Sequence, residues 1–203
     1  MCFPEIREVE YFDVVDEKGR PTGDTVERSV AHRDGTAHRT AHIWVIRKGR
    51  KGETEVLLQQ RSENKDSFPL QYDTSSAGHI RAGDEPLPSA VREMGEELGI
   101  RAEEKDFTFI GTFLNKYQQV FHGSLFKDNE ISFVYIYERP VDEGDLVLQE
   151  EEVKEVRWFS LSYVIEETRK HNEMFCVPTG SLELLEGYLN KREETKNKGS
   201  RIK

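Results

Sequence analysis

Three glutamates in the stretch AVREMGEELGI, residues 90–100, have the types and spacing that best suit chemistry in this sequence. Glu93, Glu96 and Glu97 follow an i, i+3, i+4 pattern, so a helix places their carboxylates on one face. Runs of this kind are usually solvated surface, because like charges at this spacing repel each other. The same oxygens are also the ligands that Mg²⁺ prefers, and Mg²⁺ stabilises charge on phosphoryl oxygens. The stretch therefore indicates either a solvated acidic face or a metal site for phosphate chemistry.

The residues around the glutamates favour the metal site. In chain order they are Gly78, five residues, Asp84, seven residues, Arg92-Glu93-Met94, one residue, Glu96-Glu97, one residue, and Gly99-Ile100. This order resembles the signature of the Nudix hydrolases, which has a glycine, a glutamate, an Arg-Glu-apolar triplet, a Glu-Glu pair and a Gly-apolar pair at the same intervals. The resemblance implies a metal-dependent diphosphohydrolase with Mg²⁺ or Mn²⁺ as its cofactor.

The resemblance also implies the ligands. They are Glu93, Glu96 and Glu97, with the carbonyl of Gly78 as a further one. Arg92, next to them, can orient a carboxylate by a bidentate bond. Glu97 and Glu96 flank the expected ion and its water, so both are catalytic candidates for the general base.

Acidic residues outside that set have more than one possible role. Glu130 and the acidic run at residues 150–152 are alternative bases, although a solvated surface is the more common role of such a run. Asp84 stands where the family has glutamate and is one methylene shorter. We therefore expect Asp84 to be a hydrogen-bonding group at the loop or helix start rather than a metal ligand.

Three longer segments indicate one branch of this family. They are AHRDGTAHRTAHIWV, LLQQRSENKDSFPLQYDTSSAGHI and DNEISFVYIYE. They are similar to the Nudix branch that contains type I isopentenyl diphosphate isomerase and its hydrolase relatives. The isomerases carry a cysteine just before the Gly-His pair, where this chain has Ala77. They also need a glutamate at the position of Glu130. Without the cysteine, the resemblance favours hydrolysis over isomerisation.

Histidines in these segments suggest a second cation site. His32, His38 and His79 are similar to the isomerase histidines that gather with two acidic residues around a metal, here Asp128 and Glu130. Imidazole suits transition metals better than Mg²⁺, so Mn²⁺ or Zn²⁺ is the expected ion. In the alternative interpretation the histidines only hydrogen-bond loop groups, with Asp34 holding His32 or His38.

The elements that must position these residues can be read from hydrophobic patterning. Strands are expected at 40–47 and 55–61, and a helix at about 87–98 with a buried stripe of apolar side chains. Later segments predict two long strands and two more helices. We predict one α+β domain over residues 1–190, including an N-terminal hairpin, and a frayed polar tail at 191–203. The resemblance implies an α/β/α sandwich with a mixed central sheet and the carboxylate helix after the Gly78 loop.

Composition limits the partners. The chain has 203 residues, 35% of them hydrophobic, and a formal net charge of −10, which argues against duplex nucleic-acid binding. It has neither a long apolar run nor a signal-like start, and its two cysteines, Cys2 and Cys176, form no disulfide framework. We therefore expect a cytoplasmic protein that does not bind membranes and acts on a small-molecule diphosphate; a homodimer is compatible with the sequence.

The expected reaction is cleavage of a phosphoanhydride bond in a nucleoside di- or triphosphate or a nucleoside diphosphate-linked compound. The alternatives are an isopentenyl diphosphate isomerase-like activity and a non-catalytic Nudix-fold binding module. The substrate-binding residues are unknown from the sequence. Tyr72, Tyr117 and Phe121 can stack on a base, although each is more typical of core or rim packing.

Overall fold

The computed structural model describes residues 9–200, with side chains described to residue 198, and this part of the chain contains nine strands and four α-helices. The strands are β1 Tyr11–Val15, β2 Pro21–Glu27, β3 His38–Lys48, β4 Thr54–Arg61, β5 Tyr72–Asp73, β6 Ser76–His79, β7 Phe107–Phe121, β8 Ser124–Tyr137 and β9 Val153–Ser160. The helices are α1 Arg28–Asp34, α2 Pro86–Leu98, α3 Leu161–Arg169 and α4 Thr179–Ser200.

A mixed seven-stranded sheet organises the fold. Its main path runs β5-β4-β3-β8-β7, with β6 paired to β3 and β9 paired to β4. Strands β3 and β8 are parallel, and the other pairs in this sheet are antiparallel. Strands β1 and β2 form a separate hairpin. The predicted α+β fold with a mixed central sheet is confirmed.

Strand β3 lies at the centre and is buried along its first nine residues. Its alternating side chains enter two cores, because successive residues of a strand point to opposite faces. Trp44 and Ile46 pack in the core that contains residues of α3 and α4. Ile43 and Val45 pack in the other core, against α2. Helices therefore cover both faces of the sheet, as the resemblance implied.

Helix α2 begins one residue earlier than predicted and ends where predicted. Pro86 occupies its first turn, where the missing N–H of proline costs no hydrogen bond. Ala90, Met94 and Leu98 are fully buried and fix its apolar face on the sheet. Gly99 ends the helix with a φ of 71°, a left-handed conformation that glycine adopts without strain.

The sequence reading missed one helix and ended another too early. Helix α1 was not predicted, because its seven residues are too few to show a clear period. Helix α4 continues through Ser200, so residues 191–200 are helical rather than frayed. Lysine, arginine and glutamate are good helix formers, and they extend a helix already anchored by packing. Residues 201–203 of the predicted tail, like Cys2, lie outside the described residues.

No helix within residues 9–200 is long and apolar enough to cross a membrane.

Candidate active site

The carboxylate face of α2 lies against β6. Glu97 is buried, and its Oε2 accepts hydrogen bonds from the main-chain N–H of Ala77 at 3.2 Å and from Gln59 Nε2 at 3.1 Å. The Glu93 carboxylate lies directly over Gly78. A Cβ on Gly78 would stand 2.0 Å from Glu93 Cδ, so no side chain fits at this position. Glycine is therefore required for the close approach of the loop to the glutamates.

Arg92 links the other carboxylates to the same loop. Its Nη1 lies 2.8 Å from Glu93 Oε1 and 3.0 Å from Glu96 Oε2. Its Nη2 donates to the main-chain carbonyl of His79 at 3.2 Å. Arg92 thus holds two of the three glutamates in place against β6.

Burial disfavours the ionised form of two of these carboxylates and raises their pKa. It raises the pKa of Glu97 to about 7, with Lys65 acting in the opposite direction. Burial, followed by the charge of Glu97, raises the pKa of Glu93 to about 7 as well. A divalent cation would offset both the burial cost and the repulsion. The donor set, three carboxylates beside a loop without a side chain, fits a hard ion such as Mg²⁺.

A second cluster forms where four elements meet. His38 opens β3 opposite Glu130 of the parallel strand β8, and His79 ends β6. His32 comes from α1, and Asp128 precedes Glu130 on β8. The three histidines can each place one ring nitrogen within 4.8 Å of the others, and His38, Asp128 and Glu130 satisfy the same limit. The fold thus brings together all five residues expected at the second cation site.

Several atoms of this cluster are buried without hydrogen bonds. They are His32 Nδ1, His38 Nε2 and Asp128 Oδ1. His38 Nδ1 lies 2.8 Å from the carbonyl oxygen of Thr36. His32 Nδ1 lies 3.7 Å from Asp128 Oδ1, and His38 Nε2 lies 3.6 Å from Glu130 Oε1. Unpaired buried polar atoms are costly, and a cation is one partner that would satisfy them.

Two histidines of the cluster have the charge state that suits a metal ligand. Burial, then the charge of His38, lowers the pKa of His32 to about 4. Burial and the charge of Arg28 also lower the pKa of His79. Both rings are therefore neutral at pH 7, the state that ligates metals. Burial and the charge of Glu130 raise the pKa of Asp128 to about 9. Burial acts to raise the pKa of Glu130 as well, but its interactions with His38 and His79 have the larger effect and lower that pKa.

Aromatic rings close the second cluster on two sides. Phe12 stacks on His79 at 4.6 Å and on His38 at 4.8 Å between centroids. Phe126 stacks on His32 at 4.3 Å. Asp34 does not hold either histidine, since it is exposed and pairs with Arg33 at 2.7 Å. The histidine rings are thus fixed by stacking rather than by the acidic residue considered in the alternative.

A family model for the NUDIX domain matches residues 36–177, about two thirds of the chain and both clusters except His32. The chain belongs to the Nudix family. Members of this family typically use a divalent metal, which agrees with the donor sets described above.

Individual relatives give the same family. Nudix hydrolase 3 of Arabidopsis thaliana is 41% identical over 151 residues, which cover 73% of this chain and 19% of that protein. A Nudix hydrolase of Clostridium acetobutylicum is 37% identical over 147 residues, covering 72% of this chain and 68% of that protein. An isopentenyl-diphosphate Delta-isomerase of Aliivibrio fischeri is 27% identical over 169 residues, covering 83% and 90%. The chain spans about a fifth of the length of the first of these relatives.

Solved structures agree on the fold. The crystal structure of DR0079 from Deinococcus radiodurans has a TM-score of 0.59 at 16% identity, covering 79% of this chain and 90% of that one. This Nudix chain therefore shares the fold of that protein.

Other predicted positions differ in how near they lie to the glutamates. Asp84 is exposed, and Glu85 rather than Asp84 precedes the helix as its cap residue. The main-chain carbonyl of Asp84 accepts from Arg39 Nη2 at 3.0 Å. Within the acidic run, Glu150 and Glu151 are exposed, but Glu152 pairs with Lys65, and its charge acts on Glu97.

The three aromatic residues considered for base stacking lie in different environments. Tyr72 is 3% exposed and packs edge-on against Phe159, so it belongs to the core. Tyr117 and Phe121 instead meet Phe68, at 5.8 and 5.0 Å between ring centroids.

Sequence reasoning missed Gln59 and Lys65, which contact or act on the carboxylate face. A polar side chain at a buried position of a central strand, as at Gln59, was the available signal for one of them.

Proposed function

We propose that this chain is a metal-dependent hydrolase that cleaves a phosphoanhydride bond in a nucleoside di- or triphosphate or a nucleoside diphosphate-linked compound. The observation that carries the proposal is the seating of Glu93 over Gly78 beside the buried Glu97. Placing two like charges in a buried site is unfavourable unless a cation occupies it. Membership of the Nudix family supports the same reaction class.

Glu93, Glu96, Glu97 and the carbonyl of Gly78 would hold the Mg²⁺ or Mn²⁺ ion. When bound, the ion would stabilise charge on the phosphoryl oxygens and lower the pKa of water. Arg92 keeps Glu93 and Glu96 in position through its two short contacts. These residues bind and orient the diphosphate without a covalent intermediate.

Glu97 is the best-placed general base. Gln59 and Ala77 both donate to its Oε2 and so fix the carboxylate where it can take a proton from the attacking water. A bound cation would keep this carboxylate ionised, the state that accepts a proton. Ligand and base roles both require the ionised carboxylate, and both are lost in Glu97→Gln.

Ala77 supports hydrolysis over isomerisation. It lies on β6 between the two clusters, and its main-chain N–H is committed to Glu97. Its methyl side chain cannot move a proton to or from carbon. If this is the position of the isomerase cysteine, the chain lacks one of the two groups that the allylic transfer needs.

We also propose that His32, His38, His79, Asp128 and Glu130 bind a second ion, Mn²⁺ or Zn²⁺. The three unpaired buried atoms support this proposal. Such a site would brace β3, β6 and β8 next to the carboxylate helix.

The decisive experiment is a substrate panel. Phosphate and pyrophosphate release is measured from nucleoside di- and triphosphates and nucleotide sugars with Mg²⁺, with Mn²⁺ and in excess EDTA, and isopentenyl diphosphate isomerisation is assayed in parallel. We expect metal-dependent release from at least one nucleotide that Glu97→Gln abolishes. Isomerisation without nucleotide hydrolysis would favour the isomerase, and binding without turnover would favour the non-catalytic module.

A further inference from the structure

A cavity of about 670 Å³ lies between residues 68–71, the end of β7 and the segment that follows α3. Its volume is in the range of ligand pockets, and it is open to solvent. Three aromatic rings and three side-chain amides contribute to its lining: Phe68, Phe121, Phe175, Gln71, Gln119 and Asn172.

A row of rings connects this cavity to the candidate active site. Phe126, which stacks on His32, lies 5.9 Å from Phe121 between centroids. Phe121 in turn lies 5.0 Å from Phe68. Tyr117 pairs with Asp128 across β7 and β8, and its ring reaches Phe68. The row therefore joins the cavity to the histidine cluster, which meets the carboxylate face at β6.

The loop at residues 68–71 forms one wall of the cavity, and side chains of β4 hold it by hydrogen bonds. Phe68 and Leu70 adopt positive φ angles of 47° and 65°, which non-glycine residues rarely do. Arg61 Nε donates to the carbonyl of Ser67 at 3.0 Å, and Gln60 Nε2 donates to that of Leu70 at 2.9 Å. The same loop carries Lys65, whose charge reaches Glu97. One short segment thus connects the carboxylate face with the cavity.

The chemistry of the lining selects a ligand class. Aromatic faces bind planar rings, and amides supply both donors and acceptors to ring edges. Asn172 is already engaged, through Nδ2 with Glu167 and through Oδ1 with the N–H of Met174, so Gln71 and Gln119 are the amides that remain for a ligand. A purely apolar chain would leave these two amides without partners once water was excluded. We propose that the cavity receives the nucleoside end of the substrate, with Phe121 stacking on the base and Gln119 hydrogen-bonding to its edge. This inference rests on the proposed hydrolase function and names the part of the site that sets its specificity.

Gln119 and its neighbour provide a matched pair of variants. Both Gln118 and Gln119 are exposed, and within the described residues neither side-chain amide makes a hydrogen bond. They are adjacent on β7, so their side chains point to opposite faces of the sheet. Gln119 lines the cavity, and Gln118 does not. Gln119→Ala therefore removes the contact, and Gln118→Ala controls for the loss of an exposed amide.

The test compares KM and kcat for ADP with those for inorganic tripolyphosphate, which has no nucleoside. We expect Phe121→Ala to raise KM for ADP about tenfold, because the stack on the base is lost. Gln119→Ala should raise KM for ADP by a similar factor, because the hydrogen bond to the base edge is lost. Both variants should leave tripolyphosphate kinetics unchanged, and Gln118→Ala should match the wild type on both substrates. Because Gln119 is exposed, its variant remains informative even if Phe121→Ala fails to fold.

The outcomes separate the two proposals. If the wild type hydrolyses ADP but neither variant changes KM for ADP, the cavity is not the nucleoside site and the hydrolase proposal stands. Equal losses on tripolyphosphate would likewise overturn the nucleoside assignment. If the wild type hydrolyses no nucleotide, binding of adenosine is followed by NMR: shifts at Gln119 that Gln119→Ala abolishes would support the cavity, and no shifts at millimolar adenosine would overturn it.

Discussion

The carboxylate face of α2 and the histidine cluster are both charged and lie close together, but they are built differently. Three glutamates of the first come from one helix, and one of them, Glu96, is 46% exposed. The second draws its side chains from α1, β3, β6 and β8 and is covered by stacked rings. A site of oxygen ligands with one exposed carboxylate suits an ion that exchanges with its substrate, whereas a covered site rich in nitrogen ligands suits a tightly held one. The difference predicts separate roles, turnover for the helix and bracing for the cluster.

The largest expected effect comes from neutralising the helix. Glu97→Gln and Glu93→Gln keep the side-chain volume and remove the charge, so we expect kcat to fall by at least about 10²-fold. Steady-state kinetics on the best nucleotide of the panel measures this loss. Asp84→Asn, at an exposed site, is the matched control and should cost much less. Equal losses in Asp84→Asn and Glu97→Gln would return Asp84 to the metal site.

Gly78→Ala tests the close approach between loop and helix. The added Cβ would stand 2.0 Å from Glu93 Cδ, so Glu93 must move and we expect kcat to fall by about tenfold or more. Gly95→Ala is the control in α2, because the nearest atom to its Cβ would be the carbonyl oxygen of Ile100 at 3.7 Å. It should keep full activity and gain about 0.5–1 kcal/mol of stability. Wild-type kinetics in Gly78→Ala would show that Glu93 need not lie over this loop.

Metal analysis distinguishes the two regions directly. After loading with Mn²⁺ or Zn²⁺ and gel filtration, we expect one tightly held transition metal per chain, and none in His38→Ala or His79→Ala. Mg²⁺ should still bind the helix in both variants, and EDTA should abolish turnover until Mg²⁺ is restored. His122→Asn is the control, since His122 is exposed and asparagine tolerates its φ of 49°. Wild-type protein without stoichiometric metal would favour purely structural histidines.

The same contrast explains what the sequence could reveal. The glutamates lie on one helix, so their shared face follows from spacing alone, and the observed α2 agrees with the predicted element within a residue. The histidines come from distant segments, and only the resemblance placed them together. The sequence did not predict the role of Gln59, because its contact with Glu97 depends on packing between β4 and α2. The cavity forms where the loop at residues 68–71 lies near the segment after α3. No local sequence pattern predicts that these two segments are neighbours.

The stability of the metal-free protein is also expected to change with pH. The pKa of Glu93 and of Glu97 is raised from 4.5 to about 7, so between these values the folded state holds protons that the unfolded state has released. The free energy of unfolding therefore falls as pH rises from about 4.5 to 7 and levels off above that. Within this range each of the two glutamates lowers it by ~1.4 kcal/mol per pH unit.

Glu97→Gln removes one of these two groups, so in EDTA its melting temperature should exceed that of the wild type at pH 8. We expect a gain of about 7–14 °C, since a pKa raised from 4.5 to about 7 is worth about 3.4 kcal/mol at pH 8 and 1 kcal/mol moves the melting temperature of a chain this long by roughly 2–4 °C. At pH 5 the difference should shrink to about 2–3 °C, because Glu97 is protonated in the folded wild type and has lost only part of its advantage to the unfolded state. Thermal melts at pH 5, 6, 7 and 8 measure this, with the half-exposed Glu96→Gln as control. In saturating Mg²⁺ at pH 8 the wild type should instead have the higher melting temperature, because only it keeps the full set of ionised ligands. A wild type that stays less stable than Glu97→Gln in Mg²⁺ would mean that Glu97 does not bind a cation.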